Sequence, residues 1–279
     1  MQKIKAMKNK MLIIVPFSAM FLTANANTLR YNPEEVAQFE NSNPHVCMQC
    51  NLGFWDMSNS KAFKYGGDYS YTNLSGAILD GSSIFNRLSS GLVESVTNLQ
   101  YSDFSNSTGA MGNTIIGNFM SSTDFSNSNF NNVKYYKVNL GGISFRNTSF
   151  KYASILNSTI ATPDIYKANF YQAALTGTTF TYIYSGSYAD FTEADLTDSN
   201  INTTTWLCTL TKTKFVNTKL INTKISYCDQ SNADFTGANL TGASITNGNL
   251  CNAKITPEQL ASMKSLEGTV GPDCKTVYK

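Results

Sequence analysis

The stretch from Ala233 to Ile255 repeats its pattern every fifth residue. A large apolar residue returns as Phe235, Leu240, Ile245, Leu250 and Ile255. Two places before each stands a small residue: Ala233, Ala238, Ala243, Gly248 and Ala253. Neither common element has this period, since a helix repeats near 3.6 and a strand at two. One small and one large inward residue in five suit a short extended piece followed by a turn. Ser, Thr, Asn, Asp and Gly fill the remaining places, and these residues favour turns through local hydrogen bonds and left-handed conformations. One such piece cannot bury its apolar residue, whereas stacked turns of chain bury a continuous column. The pattern therefore specifies a solenoid.

The motifs Ala-Asp-Phe-Thr-Gly (233–237), Ala-Asn-Leu-Thr-Gly (238–242), Ala-Asp-Phe-Thr-Glu (189–193) and Ala-Asp-Leu-Thr-Asp (194–198) resemble the pentapeptide-repeat family, with its consensus A(D/N)LXX. The resemblance covers about three quarters of the chain. It implies an all-β solenoid, a right-handed quadrilateral β-helix with four pentapeptides to a coil. At roughly 20 residues per coil the repeats predict about ten coils.

The column of large residues runs Phe125, Phe130, Tyr135, Leu140, Phe145, Phe150, Ile155, Ile160, Ile165, Phe170, Leu175 and Phe180. It resumes one residue later as Phe191, Leu196, Ile201 and Trp206. A residue is lost before Leu210, and Phe215, Leu220, Ile225 and Phe235 follow, with Gln230 breaking the column once. Earlier, Tyr69, Leu74, Leu79 and Ile84 keep the register, which returns at Leu99 and Phe104. Gly109 and Thr114 then stand in core slots, and one inserted residue near Ser121–Thr123 moves the phase. Such slips predict bulges or loops on a regular coil.

The two ends read differently. Residues 1–26 have the form of a signal peptide: Lys3, Lys5, Lys8 and Lys10, an apolar run from Met11 to Leu22, and Ala24-Asn25-Ala26 at the cleavage site. The run is too short for a membrane span. The expectation is a chain exported to the periplasm or medium. Residues 27–46 form an N-terminal cap segment, with a helix opened by Asn32-Pro33-Glu34-Glu35 and running to about Glu40. The repeats occupy 47–256. Residues 257–279 are expected to be a capping helix, to about Ser265, and an irregular tail. Thr256 and Gln259 have capping-box spacing there, and Leu260, Met263 and Leu266 would face the last coil.

All six cysteines follow the signal segment, where an exported chain can keep disulfides. Cys208 and Cys228 both take the small inward place and should stack in adjacent coils, as a bridge or as two buried thiols. Cys251 follows a core Leu and faces outward, within reach of Cys274. Cys47 and Cys50 are left to each other. Their C-x-x-C invites a zinc or redox reading, but Cys50 also fits the small place before Leu52. There is no second such motif, His45 is the single histidine, and structural zinc takes four ligands. No metal or cofactor is expected.

Function is less legible. The resemblance implies DNA mimicry, as in gyrase inhibitors, which needs an acidic surface. From Gly67 to Thr256 the chain has 12 Asp and Glu against 11 Lys and Arg, so nucleic-acid binding and its mimicry both lack the required charge. A charge column of alternating sign is expected at Asp195, Lys214, Asp234 and Lys254. No catalytic residues are assigned. The densest carboxylates, Glu193, Asp195 and Asp198, offer the alternative of a β-helix enzyme acting on glycans. Tyrosines are in surplus: Tyr136, Tyr166 and Tyr171, with Tyr182, Tyr184 and Tyr188, would put aromatic groups outside the middle of the rod, where Tyr suits contact with protein or sugar. The sequence thus predicts a non-enzymatic structural or binding module, a monomer or homodimer, with a protein or glycan partner.

Overall fold

The computed structural model of the 279-residue chain describes residues 32–41, 49–53, 72–75, 97–98, 102–105, 107–110, 114–116, 123–141, 144–161, 164–181, 183, 185–202 and 208–279. The signal-like segment, His45, Cys47, Tyr69, Leu79, Ile84, Leu99 and Trp206 lie outside these residues. What is described is an all-parallel β-solenoid.

Each side of the coil is a short extended piece whose large residue points inward. In the coil beginning at Phe130, the four sides carry Phe130, Tyr135, Leu140 and Phe145, all buried. Each pairs with the coil above. Seven strands form the longest sheet, in the order Thr114–Ile116, Asn139–Gly141, Thr159–Ala161, Thr179–Thr181, Asn200–Asn202, Lys224–Ser226 and Ser244–Thr246. On another side, isolated bridges climb through Asn129, Ser149, Asn169, Asp190, Lys214, Asp234 and Lys254.

The corners explain the consensus. At most described corners the second residue after the core residue takes a left-handed backbone, at φ +60° for Asn127, +54° for Asn147 and +59° for Asn232. Asn accepts this conformation more readily than most residues, and Gly accepts it at no steric cost. At Gly177 (φ +67°) a side chain would also collide with Asn157 of the previous coil. The Asp or Asn before the core residue closes the same corner. Asp190 Oδ1 accepts from Thr192 N at 3.0 Å, Asp195 Oδ1 from Thr197 N at 3.0 Å and Asn169 Oδ1 from Tyr171 N at 2.9 Å. These are Asx turns.

Stacking of successive coils lays like on like. Phe130, Phe150, Phe170 and Phe191 stack with ring centroids 5.0, 4.8 and 4.7 Å apart, and Phe215 and Phe235 extend the column. The small inward place is often Thr or Ser, and its buried hydroxyl donates to a core residue's carbonyl in the coil below: Thr178 to Ile155 at 2.6 Å, Thr218 to Phe191 at 2.7 Å, Thr223 to Leu196 at 2.6 Å. Cys208 and Cys228, directly paired in register, form a disulfide with a Cα–Cα distance of 4.5 Å. Tyr135 is opposite Gly109, and its hydroxyl lies 2.7 Å from Ser107 Oγ, so a polar contact accompanies the missing side chain. In the next side the register shifts, and Ile116 rather than Thr114 stands opposite Leu140.

Coil length differs from the uniform 20 residues used to count coils. It is 20 from Asn129 to Ser149 to Asn169, and again from Lys214 to Asp234 to Lys254. It is 21 from Asn169 to Asp190, 24 from Asp190 to Lys214 and 26 from Asp103 to Asn129. The slip before Leu210 is therefore four residues gained, not one lost. That changes the charge column: Lys214 stands over Asp190, and Asp195 pairs with Lys219 instead.

At the first described rung, helix α1 (Pro33–Asn41) sits on the coil. Asn32 caps it through Glu34 N at 3.0 Å, Asn32 N donates to Asn51 O at 3.0 Å, and Glu35 accepts from Asn51 N. At the other end, α2 (Pro257–Ser262) begins with the expected capping box at Thr256 and Gln259. It is shorter than expected because Met263 is extended, and the coil then resumes. Ser265 bridges Ser244 and Val270 bridges Asn249, so the segment after α2 is a further partial coil rather than an irregular tail. Leu260, Met263 and Leu266 pack against the core as expected. Beyond Gly271 the chain turns back, and Val277 pairs antiparallel with Val270. Gly268 N donates to Tyr278 O, Tyr278 N to Thr269 O and Gly271 N to Thr276 O, at 2.9, 3.0 and 2.7 Å. Three such bonds are worth about 0.5–1.5 kcal/mol each, against about 1–2 kcal/mol per residue to order the backbone. The Cys251–Cys274 disulfide supplies the missing tether.

Gln230 is wholly buried in the column of Leu210 and Leu250, and neither its Oε1 nor its Nε2 has a hydrogen-bond partner. Gln230→Leu is expected to stabilise the protein by about 1–3 kcal/mol, the cost of a buried unpaired polar group. The urea midpoint measures this, and a lowered midpoint would mean that the amide is paired.

Candidate interaction surface

The outward residues form faces and corners, and the tyrosines gather at the corners. Tyr166 is the first corner residue after Ile165, and Tyr188 the second after Gly186 in the next coil. Their rings meet edge to face at 5.8 Å. Cations surround them. The Arg146 guanidinium lies 4.4 Å from the Tyr166 ring while its Nη1 holds Asp164 Oδ2 at 2.7 Å. Lys167 Nζ is 5.2 Å from the same ring, and Lys212 Nζ donates to Tyr188 Oη at 3.1 Å. That bond, with the charge of the phenol oxygen, raises the Lys212 pKa above its ordinary value.

A second group occupies the following corner. Tyr152 and Tyr171 meet at 5.8 Å. Gln172 Nε2 donates to Tyr171 Oη at 3.2 Å and to Glu193 Oε2 at 2.6 Å. Desolvation, and then the Glu193 charge, push the Tyr171 pKa up. Tyr136 is on a third corner with Lys137, 5.2 Å from its ring. The six expected tyrosines therefore do not make one patch. Tyr166 and Tyr188 come together, Tyr171 joins a residue not singled out from the sequence, Tyr152, and Tyr136 stands apart. Tyr182 and Tyr184 lie outside the described residues. Coil arithmetic would have found Tyr152 and Arg146, since both occupy corner places in the coil next to Tyr171 and Tyr166.

The cysteines fall as the spacing suggested where described. Cys208–Cys228 and Cys251–Cys274 are disulfides. Cys50 is disulfide-bonded, while Cys47, its expected partner, lies outside the described residues. The carboxylates Glu193, Asp195 and Asp198 are each engaged: Glu193 by Gln172, Asp195 by Lys219 at 3.2 Å and Asp198 by Asn222 at 3.1 Å. Among the described residues no group of three or more His, Cys, Asp and Glu could hold a metal ion, and no helix is long and apolar enough to cross a membrane.

The family described as pentapeptide repeats matches residues 220–256 in eight copies. Residues 220–256 are pentapeptide repeats. Among solved structures, the chain is similar to HetL, a pentapeptide repeat protein involved in heterocyst differentiation regulation from the cyanobacterium Nostoc sp. strain PCC 7120. The identity is 18%, covering 77% of this chain and 86% of that one, with a TM-score of 0.44. It is also similar to QnrB1, a plasmid-mediated fluoroquinolone resistance protein, at 12% identity over 80% of this chain and 90% of that one, with a TM-score of 0.26. A third is the pentapeptide repeat protein Rfr23 from the cyanobacterium Cyanothece 51142, at 15% identity over 48% and 85% of the two chains, with a TM-score of 0.22. Comparison with curated protein sequences gives no significant match.

Ion pairs line the faces of these repeats. Lys254 meets Asp234 at 2.9 Å, and both are partly exposed. Burial works to raise the Asp234 pKa, but bonds from Thr236 and Lys254 outweigh it and the net shift is downward. A lowered folded pKa contributes stability above the unfolded carboxylate pKa, and that contribution is lost as pH falls through the folded value. Lys254→Met should move the Asp234 pKa back up in a carboxyl NMR titration. It should cost less than about 1 kcal/mol at neutral pH, and the difference between the two proteins should vanish in acid.

Proposed function

We propose that residues 1–26 direct export and that the repeat rod then serves as a structural or binding module outside the cytoplasm. Its partner meets the corner built from Tyr166 and Tyr188. The observation that carries this reading is that corner, where two rings, Arg146, Lys167 and Lys212 converge across adjacent coils. Paired rings with a polar tip and flanking cations suit the surface of a protein or glycan. The two disulfides are compatible with an oxidising compartment. Nucleic acid is left out of the proposal because acids and bases pair along the described faces, at Asp190–Lys214, Asp195–Lys219 and Asp234–Lys254. This makes neither a basic groove nor an acidic mimic. A glycan-cleaving enzyme is not favoured, since its candidate carboxylates Glu193, Asp195 and Asp198 are each engaged by Gln172, Lys219 and Asn222 rather than set facing one another.

The test is capture of partners from envelope and medium fractions by residues 27–279 and by the Tyr166→Ala/Tyr188→Ala variant. Loss of two central aromatic anchors should weaken capture at least about tenfold, with an unchanged circular dichroism spectrum. Equal capture by both proteins would remove this corner from the reading. Cytoplasmic retention of the full chain fused to an export reporter would remove the signal assignment.

A further inference from the structure

A β-solenoid leaves an open edge at the end of its coil, and the last rung of this one is covered by its own chain. Gly268–Gly271 is that rung. Thr276–Tyr278 folds back across it as an extended segment joined by one antiparallel bridge, Val277 to Val270, against the parallel pairing of the coil itself. The cover is thin. Thr276 and Val277 are exposed, with Val277 at 56%, and Tyr278 is half-buried. Little apolar surface holds the strand down, so its attachment consists of three backbone bonds, an Asp273 turn and the Cys251–Cys274 disulfide. In the turn, Asp273 accepts from Lys275 N at 3.0 Å and Thr276 N at 2.8 Å, and bonds from Thr276 first of all lower its pKa to about 2. The turn therefore keeps its charge at any ordinary pH, and the disulfide is the part that chemistry can open. Of the two disulfides with both cysteines described it is the accessible one: Cys274 is exposed, whereas Cys208 and Cys228 are 3% and 2% exposed.

We propose that Gly268–Gly271 is a strand-accepting interaction edge, closed in the oxidised protein by the disulfide latch, and that on reduction it takes the Thr276–Tyr278 strand of a second copy of this chain. The occupant follows from complementarity. The edge already accepts this sequence with all three bonds made, and every copy carries one such strand and one such edge. Reciprocal exchange between two copies therefore preserves the three backbone bonds of the edge. Unblocked edges of this kind are general templates for pairing. Opening needs a dithiol reductant. One thiolate attacks Cys274 Sγ, the bond to Cys251 breaks, and Cys251 leaves as a thiolate that takes a proton. The second sulfur of the reductant then attacks the mixed disulfide, releasing Cys274 as a thiol and the reductant as a cyclic disulfide. The protein gains two electrons and two protons. This inference does not rest on the tyrosine corner.

The experiment compares the oxidised protein, the protein under mild dithiol with Cys208–Cys228 shown intact by alkylation mapping, and the Cys251→Ser/Cys274→Ser variant. Light scattering should show one added association step in the second and third. On dilution, amide exchange at Gly268, Gly271 and Tyr278 should speed by at least about tenfold, while Asn247 and Leu250 stay protected. Adding Tyr278→Pro to the serine variant removes a strand donor and should abolish the association. An unchanged mass on reduction overturns the proposal, whether the edge amides stay protected or not. So does association that survives Tyr278→Pro, because it would then be made elsewhere.

Discussion

Everything in this molecule depends on the backbone ladder between successive coils. The N–H of a core residue donates to the carbonyl of the residue before the core position one coil on, as Phe150 N does to Asn169 O at 2.7 Å and Phe170 N to Asp190 O at 2.7 Å. Because the ladder is parallel and in register, each residue stands over its equivalent. The consequences are not negotiable for the side chains. Where phenylalanine recurs at one place in successive coils it stacks on phenylalanine, as Phe150 does on Phe170, and where charges of opposite sign recur they pair, as Asp190 does with Lys214. A corner asparagine must lie on another, as Asn147 Nδ2 does on Asn127 Oδ1 at 3.2 Å.

The ladder also explains how so polar a sequence has an interior. Ser and Thr at the small inward place would leave a buried hydroxyl unpaired in most cores, at a cost comparable to a lost hydrogen bond. Here the carbonyl of the coil below is within reach of Thr178, Thr218, Thr223 and Thr269, which are buried and satisfied. Gln230 has no such partner, because it stands at the large inward place in the apolar column of Leu210 and Leu250. Function is left to the outside, and there the corners differ from the faces. Faces hold short residues and ion pairs, while corners project long ones from adjacent coils toward one another, which is how Tyr166 and Tyr188 come to share a cationic setting.

Phase was readable in the sequence and coil length was not. A fivefold repeat reports position only modulo five, so losing one residue and gaining four leave the same trace. For the interval from Asp190 to Lys214 the phase suggests the loss, and the structure has the gain. The single step between Phe170 and Phe191 was read correctly because one residue was indeed added. The same ambiguity misplaced Asp195 in the charge column. Helix α2 was legible in Thr256, Pro257 and Gln259 because capping is local. Its place inside a coil was not, because Ser265 and Val270 find their partners more than 20 residues back.

The sequence by itself determined the inward and outward residues, the turn at each corner and the capping of both helices. These follow from local backbone preference and from the need to bury one large residue in five. Only the tertiary structure decided which coil each side chain met: the ion-pair partners, the grouping of tyrosines and the strand that closes the final rung. Those contacts depend on the number of residues in every intervening loop, a quantity that neither composition nor periodicity contains.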